Sequence, residues 1–140
     1  MYRIAVLTSS RAQEAFLAEQ ISRFCAEHCL FPKTDCYHDQ ESFFEAARNE
    51  LLTNAVIALP GVDGLNAVEH LRALCPQTRI IWCSDLNFSL HAFRLRADYF
   101  LLEPMTEAAL RQGFRIWLDG KNQAEQHRSD RNKHNKENGL

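Results

Sequence analysis

Apolar and polar residues follow two different periods along this chain. Short apolar runs occur at residues 2–7, 55–59, 79–83 and 99–102, and the stretches between them carry apolar residues at three- and four-residue steps. Runs of the first kind are typical of strands, and spacings of the second kind are typical of amphipathic helices. The alternation of the two predicts βα units on a mainly parallel sheet.

Polar residues in capping positions mark the starts of several helices. Ser10 and Gln13 predict a capping box at the start of a first helix, which ends near residue 28. Asp39 predicts the cap of a second helix that carries apolar residues as far as Leu51. Thr106 predicts the cap of a last helix, which extends to about residue 118.

The remaining elements complete a set of five strands and five helices. Residues 30–38 are compatible with a strand but include a proline, a lysine and an aspartate, which is typical of a protected edge strand. Pro60 and Gly61 end the third strand, and the third helix that follows ends before Pro76. A fourth helix is expected at about residues 88–95.

Five βα units with a marginal second strand indicate a flavodoxin-like, or CheY-like, fold. This is a doubly wound α/β fold with a five-stranded parallel sheet in the order 2-1-3-4-5 and a functional site at the carboxyl ends of the strands. A length of 140 residues suits one domain, expected over residues 1–120. Residues 121–140 are almost entirely polar and predict a disordered tail or a truncated linker.

Composition and charge narrow the class of protein. The chain is 46% hydrophobic, and 16 basic residues balance 18 acidic ones, which is typical of a globular protein. This charge gives no reason to expect a membrane surface or nucleic acid as the main partner. The apolar runs are shorter than a membrane span and the N-terminus lacks the features of a signal peptide, so we expect a cytoplasmic protein with five reduced cysteines.

Three segments carry a resemblance to a known family. They are LPGVDGLNAVEHLRAL at 59–74, IIWCSD at 80–85 and ADYFLLEP at 97–104. Their order and separations resemble the receiver domain of bacterial response regulators. The longer segment WCSDLNFSLHAFRLRADYFLLEP is similar to receivers joined to LytTR-type DNA-binding domains. The resemblance implies a non-enzymatic regulatory domain of two-component signal transduction.

The resemblance also implies a phosphoryl-accepting site, which this chain carries in degenerate form. Receivers use an aspartate at the end of the third strand, an acidic pair that holds Mg²⁺, a hydroxyl after the fourth strand and a lysine after the fifth. These positions fall respectively on Val56, on Thr8 and Ser9, on Ser84 and on Glu103. Only the hydroxyl is kept, so we expect a pseudo-receiver with no catalytic residue, metal or cofactor.

A surface for protein contacts is expected around the fourth helix, the fifth strand and the fifth helix. Phe100 matches the aromatic that receivers use as a conformational switch. The candidate interaction residues are Phe88, Phe93, Arg94, Arg96, Phe114 and Arg115. Aromatic and arginine side chains on one surface suit an interface, with an ordinary solvated helix face as the alternative. The expected partner is another protein, with a second copy of the chain as one candidate.

Other chemistry has weaker support in the sequence. A metal site would draw on Cys25, His28, Cys29, Cys36 and His38, but their spacing matches no zinc pattern, and the helical cysteines lie beside an apolar stripe. The hydroxyls of residues 8–10 lie at a helix N-terminus that suits an anion, although capping explains them equally well. Asp63, the acidic residue after the third strand, is expected in a surface turn.

Three functions remain open from the sequence. The first is a phosphorylation-independent pseudo-receiver that acts through protein contacts. The second is the N-terminal regulatory part of a LytTR-type transcription regulator whose DNA-binding domain is missing from this sequence. The third is an unrelated flavodoxin-like enzyme or small-molecule binder that uses the hydroxyls of residues 8–10. Binding of phosphate or a nucleotide at the first βα turn would favour the third.

Overall fold

A computed structural model of the chain describes residues 3–120. The strands are β1 (Arg3–Thr8), β2 (Lys33–Tyr37), β3 (Asn54–Ala58), β4 (Arg79–Ser84) and β5 (Tyr99–Leu102). The helices are α1 (Arg11–Glu27), α2 (Gln40–Asn49), α3 (Gly61–Leu74), α4 (Ser89–Arg94) and α5 (residues 107–120). The predicted polar tail, residues 121–140, lies outside the described residues.

The five strands form one parallel sheet in the order β2-β1-β3-β4-β5, which confirms the predicted fold. The pairing places Thr8 beside Ala58, and Ala58 beside Cys83. Ser84 pairs with Leu102 at the other side of β4. The carboxyl ends of the four strands β1, β3, β4 and β5 therefore lie along one edge, called the carboxyl edge below.

Helices cover both faces of the sheet and divide the apolar core into two layers. Side chains alternate between the two faces of a strand, so Ala5 and Leu7 belong to the layer under α2, α3 and α4, whereas Ile4 and Val6 belong to the layer under α1 and α5. Every residue of β3 is buried. This two-sided cover explains why the central strands appear in the sequence as uninterrupted apolar runs.

The predicted caps are present at three helix starts. The Ser10 side chain accepts a hydrogen bond from the backbone N–H of Gln13 at 3.2 Å. The Asp39 carboxylate accepts one from the Ser42 N–H at 2.7 Å, and the hydrogen bonds from Ser42 lower the pKa of Asp39. Each side chain satisfies a backbone donor that the helix itself leaves unpaired. Thr106 does the same for the N–H of residue 109 at the start of α5.

Two expectations about element boundaries were wrong. Leu51 does not belong to the second helix, because the chain leaves α2 at Glu50 in an extended conformation, which exposes Leu51 and buries Leu52. Asp63 does not lie in a turn, because α3 begins at Gly61, with only Leu59 and Pro60 between it and the end of β3. Its carboxylate lies in the first turn of α3, where the helix dipole favours a negative charge.

The shortest helix is α4, with six residues. An isolated helix of this length is unstable in water, so contacts with the rest of the fold must hold it in place. Within residues 3–120, no helix has the length and apolar character needed to span a membrane.

Candidate functional site

Four of the five positions predicted for the degenerate pocket meet at the carboxyl edge. Thr8 and Ser84 end β1 and β4, and both are buried. Ser9 and Glu103 follow directly after β1 and β5, and both are exposed. The N–H of Glu103 donates to the carbonyl oxygen of Ser84 at 2.9 Å, which fixes the turn after β5 against the end of β4.

The fifth position, Val56, lies away from this edge. It occupies the middle of β3, where it pairs with Val6 on one side and Ile81 on the other. The residue at the carboxyl end of β3 is Ala58, two positions further along the chain. Neither the Val56 nor the Ala58 side chain carries an oxygen. Whichever of the two positions corresponds to the receiver aspartate, it offers no nucleophile.

Gln13 bridges the two sides of the carboxyl edge. Its side-chain carbonyl oxygen accepts a hydrogen bond from the Thr8 hydroxyl at 3.0 Å. Its amide nitrogen donates to a Glu103 carboxylate oxygen at 3.0 Å. The capping box predicted a bond from the Gln13 side chain back to the Ser10 N–H, but that N–H donates to the Thr8 hydroxyl instead. Glutamine thus links the first and last βα turns of the sheet.

Asp85 makes a second link at the same edge, which sequence reasoning did not identify. Its carboxylate oxygen Oδ1 accepts a hydrogen bond from the Gly61 N–H at 2.8 Å and one from the Ser84 hydroxyl at 3.3 Å. The Ser84 Oγ in turn accepts from the N–H of Leu86 at 3.2 Å. The bond from Gly61 is the main reason that the pKa of Asp85 lies below its ordinary value.

Three aromatic side chains fill the space between the sheet and α4. Trp82 of β4 is fully buried. The ring of Phe88 stacks on it with centroids 5.3 Å apart and planes 10° apart. Phe100, the predicted switch aromatic, meets Trp82 edge-on at 5.3 Å and is half-buried. Phe88 directly precedes α4, so its packing on Trp82 attaches the start of this helix to the sheet.

The predicted interaction face is only partly at the surface. Phe93 is 82% exposed, and three arginines of the prediction are exposed as well, namely Arg94, Arg96 and Arg115. Phe88 is half-buried on Trp82. Phe114 was placed wrongly, because it is buried in the layer under α1 and α5, where its ring contacts those of Phe24 and Trp117.

Exposed leucines extend the apolar part of this surface. Leu86 lies before α4, Leu90 lies within α4 and Leu102 ends β5, and each is about half exposed. Leu86, Leu90 and Phe93 are separated by four and three residues. Only Leu90 and Phe93 lie within α4, and their three-residue separation places them along one side of that helix.

The cysteines and histidines considered as metal ligands have other surroundings. Cys25 is buried, and burial raises the pKa of its thiol. His28 Nδ1 lies 2.9 Å from the carbonyl oxygen of Phe24, and His38 Nε2 lies 3.0 Å from a Glu14 carboxylate oxygen. Residues 3–120 contain no group of three or more histidine, cysteine, aspartate or glutamate side chains that could hold a metal ion.

Neither a protein-family model nor a curated protein matches the chain. Solved structures do match it. A CheY-like receiver domain protein from Methanospirillum hungatei has a TM-score of 0.68 and 16% identity, over 89% of this chain and 98% of that one. The response regulator TrrA of Thermotoga maritima, solved in complex with Mg²⁺-BeF, has a TM-score of 0.65 and 17% identity, over 82% and 97%.

A longer regulator also matches. DrrB of Thermotoga maritima, described as an OmpR/PhoB homolog, has a TM-score of 0.65 and 18% identity, and the match covers 86% of this chain. The chain spans only 54% of the length of DrrB. At these identities the matches show a shared fold, the CheY-like arrangement of a five-stranded parallel sheet with helices on both faces.

Proposed function

We propose that the chain is a cytoplasmic pseudo-receiver: a non-enzymatic signalling module that works without phosphorylation and acts through contacts with another protein. The likeness to receiver structures supports the signalling role. The observation that carries the rest is the bridge from Thr8 through Gln13 to Glu103. The side chains of this bridge hydrogen-bond to one another at the carboxyl edge, and one of them, Glu103, carries a negative charge.

The charges at the carboxyl edge oppose phosphoryl transfer. Mg²⁺ binds hard oxygen ligands, usually one or two carboxylates, and neutralises the charge of the transferred group. The ends of β1 and β3 offer Thr8 and Ala58, and the residue after β5 is Glu103. A phosphoryl group bound at this edge would face the like charge of Glu103, which disfavours its binding.

Phosphorylation assays test the proposal. The protein is incubated with acetyl phosphate and Mg²⁺ and, in a parallel sample, with Mg²⁺ and beryllium fluoride, with TrrA as the positive control. We expect TrrA to be phosphorylated by acetyl phosphate and to shift its amide NMR signals with beryllium fluoride. We expect this chain to show neither acid-labile phosphate nor a shift of its amide NMR signals. Acid-labile phosphate on any aspartate, Asp63 and Asp85 included, would contradict the proposal.

The surface formed by Leu90, Phe93, Arg94 and Leu102, called the α4–β5 face below, is the proposed contact site. A large aromatic that is 82% exposed beside exposed leucines and arginines has the composition of an interface. A second copy of the chain is the partner we test first, since the same patch can serve both subunits about a twofold axis.

Light scattering after size-exclusion chromatography tests self-association. At about 100 μM, well above a micromolar dissociation constant, we expect the wild type to be dimeric and Phe93→Asp to be monomeric and folded. Leu51→Asp is the matched control, because Leu51 is 78% exposed but lies outside this face. A monomeric wild type at this concentration would exclude the homodimer and leave a different protein as the partner.

A relationship with LytTR-type transcription regulators is the second proposal. It is supported by the similarity of residues 82–104 to receivers of that kind. Under this proposal the chain is the regulatory part of a longer protein and does not itself bind DNA. The nucleotide sequence after codon 140 tests it directly, since an open reading frame for a DNA-binding domain is expected there.

A further inference from the structure

The α4–β5 face depends on a helix that cannot hold its own position. With six residues, α4 has too few internal hydrogen bonds to offset the cost of ordering it. One contact that supplies the missing stability is the stack of Phe88 on Trp82. The loop between β4 and α4 supplies another through Asp85, which lies three residues before Phe88.

Asp85 caps a helix to which it does not belong. The residue that precedes α3 is Pro60, whose side chain has no hydrogen-bonding group. The first N–H groups of a helix need acceptors, and a carboxylate in this position also interacts favourably with the helix dipole. The Asp85 carboxylate meets this need at Gly61, 2.8 Å away and 24 residues earlier in the chain.

The same carboxylate also holds the end of β4. Its Oδ1 accepts the hydrogen bond of the Ser84 hydroxyl, while the Ser84 Oγ accepts the N–H of Leu86. One oxygen atom therefore joins the start of α3 to the first residues of the β4–α4 loop. The loop leads within a few residues into α4, so this contact lies close to the start of that helix.

We infer that Asp85 is a positioning residue that pins the β4–α4 loop to α3 and so holds α4 and the α4–β5 face in one arrangement. The inference rests on the proposed function. In a protein that is not phosphorylated, the Asp85 carboxylate is the anion that accepts the hydrogen bond of the Ser84 hydroxyl. Asp85 acts on the contact face through Ser84, Leu86 and Phe88, and it has no direct role in binding the partner.

Amide hydrogen exchange followed by NMR tests the inference. In Asp85→Ala, the N–H of Gly61 and the amides of residues 86–95 should exchange roughly three- to tenfold faster, the range expected for loss of one net hydrogen bond. Amides elsewhere that exchange through local openings, in which the contact between Asp85 and Gly61 stays intact, should not change, whereas amides of β1 and β3 that exchange only on global unfolding should accelerate by about the same factor. Asp85→Asn keeps an acceptor oxygen at the same position and should restore most of the protection.

Asp63→Ala is the matched control for helix electrostatics. Asp63 also lies in the first turn of α3 and is exposed, but it belongs to α3 itself and not to the β4–α4 loop. We expect this variant to leave residues 86–95 unchanged. Unchanged exchange in Asp85→Ala, or an equal change in Asp63→Ala, would overturn the inference. If Asp85→Ala does not fold, Asp85→Glu takes its place, because the extra methylene moves the carboxylate away from Gly61, and the same faster exchange of residues 86–95 is then required.

The outcomes of this experiment and of the phosphorylation assays are independent. Faster exchange in residues 86–95 supports the role of Asp85 whether or not the wild type accepts phosphate. Labelling of the wild type would remove the proposed function without changing the measured link between Gly61 and the loop.

Discussion

Gly64 and Gly113 are both buried glycines within helices, yet alanine should affect them differently. A Cβ atom at Gly64 of α3 would lie 2.5 Å from the backbone carbonyl oxygen of Leu59 and 3.2 Å from Trp82 Nε1. A Cβ atom at Gly113 of α5 would lie 2.9 Å from Ile81 Cδ1, the flexible end of a side chain. The first contact requires a backbone shift, whereas a small side-chain movement relieves the second.

The expected magnitudes follow from two opposing effects. Alanine in place of glycine favours a helix by about 1 kcal/mol. Overpacking costs about 1–3 kcal/mol, with the larger values where the backbone must move. Gly64→Ala should therefore lower the free energy of unfolding by about 2 kcal/mol, and Gly113→Ala should change it by less than about 1 kcal/mol.

Urea unfolding and thermal unfolding, both followed by circular dichroism, measure the two variants. The melting temperature of Gly64→Ala should fall by roughly 8 °C, and that of Gly113→Ala should change by no more than about 4 °C. Gly64→Ala should also change the fluorescence of Trp82, since α3 must move relative to that indole. Equal destabilisation by the two variants would refute the argument that contact with the Leu59 carbonyl decides the cost.

Two further predictions concern single side chains. Cys83 is only 1% exposed, and burial raises the pKa of its thiol to about 12. A thiol reagent should therefore modify the exposed Cys29 rapidly and Cys83 only after unfolding. Peptide mass spectrometry locates the modified residues, and rapid labelling of Cys83 in the folded protein would contradict the prediction. The lowered pKa of Asp39 means that its stabilising effect is present above the ordinary aspartate pKa and is lost as pH falls through the lower folded value. Asp39→Ala should thus lower the urea midpoint at pH 7 but not at a pH below both values, and Asp39→Asn, which keeps a cap, should lower it less.

The elements of the fold could be predicted because their signals are local. Strand runs, capping residues and helix spacings each lie within a few residues, and the order of the sheet follows from the weak second strand. The boundary at Leu51 was missed because burial decided it. The chain turns after α2 so that Leu52 reaches the core, and no local pattern distinguishes Leu52 from Leu51.

The site was less predictable because its bonds join distant segments. The partner of the Gln13 amide, Glu103, lies 90 residues away, so a local rule predicted a capping box in place of the bridge. The contact between Asp85 and Gly61 is long-range in the same way. For Phe114 a usable signal was present, since Phe114 lies four residues after Leu110 and three before Trp117, both of which are buried. That spacing defines the buried stripe of α5.

The two links at the carboxyl edge bear on how such a module could be controlled. A ligand shifts a conformational equilibrium only by the difference between its affinities for the two forms. At this edge the acceptor and donor groups of Gln13, Ser84 and Asp85 are already engaged within the chain, so a small anion would have to break existing bonds in order to gain new ones. Its differential affinity would be small. Under the proposed function, a partner acts at the α4–β5 face, so changes in the concentration of that partner should alter the signalling output more than changes in phosphate supply.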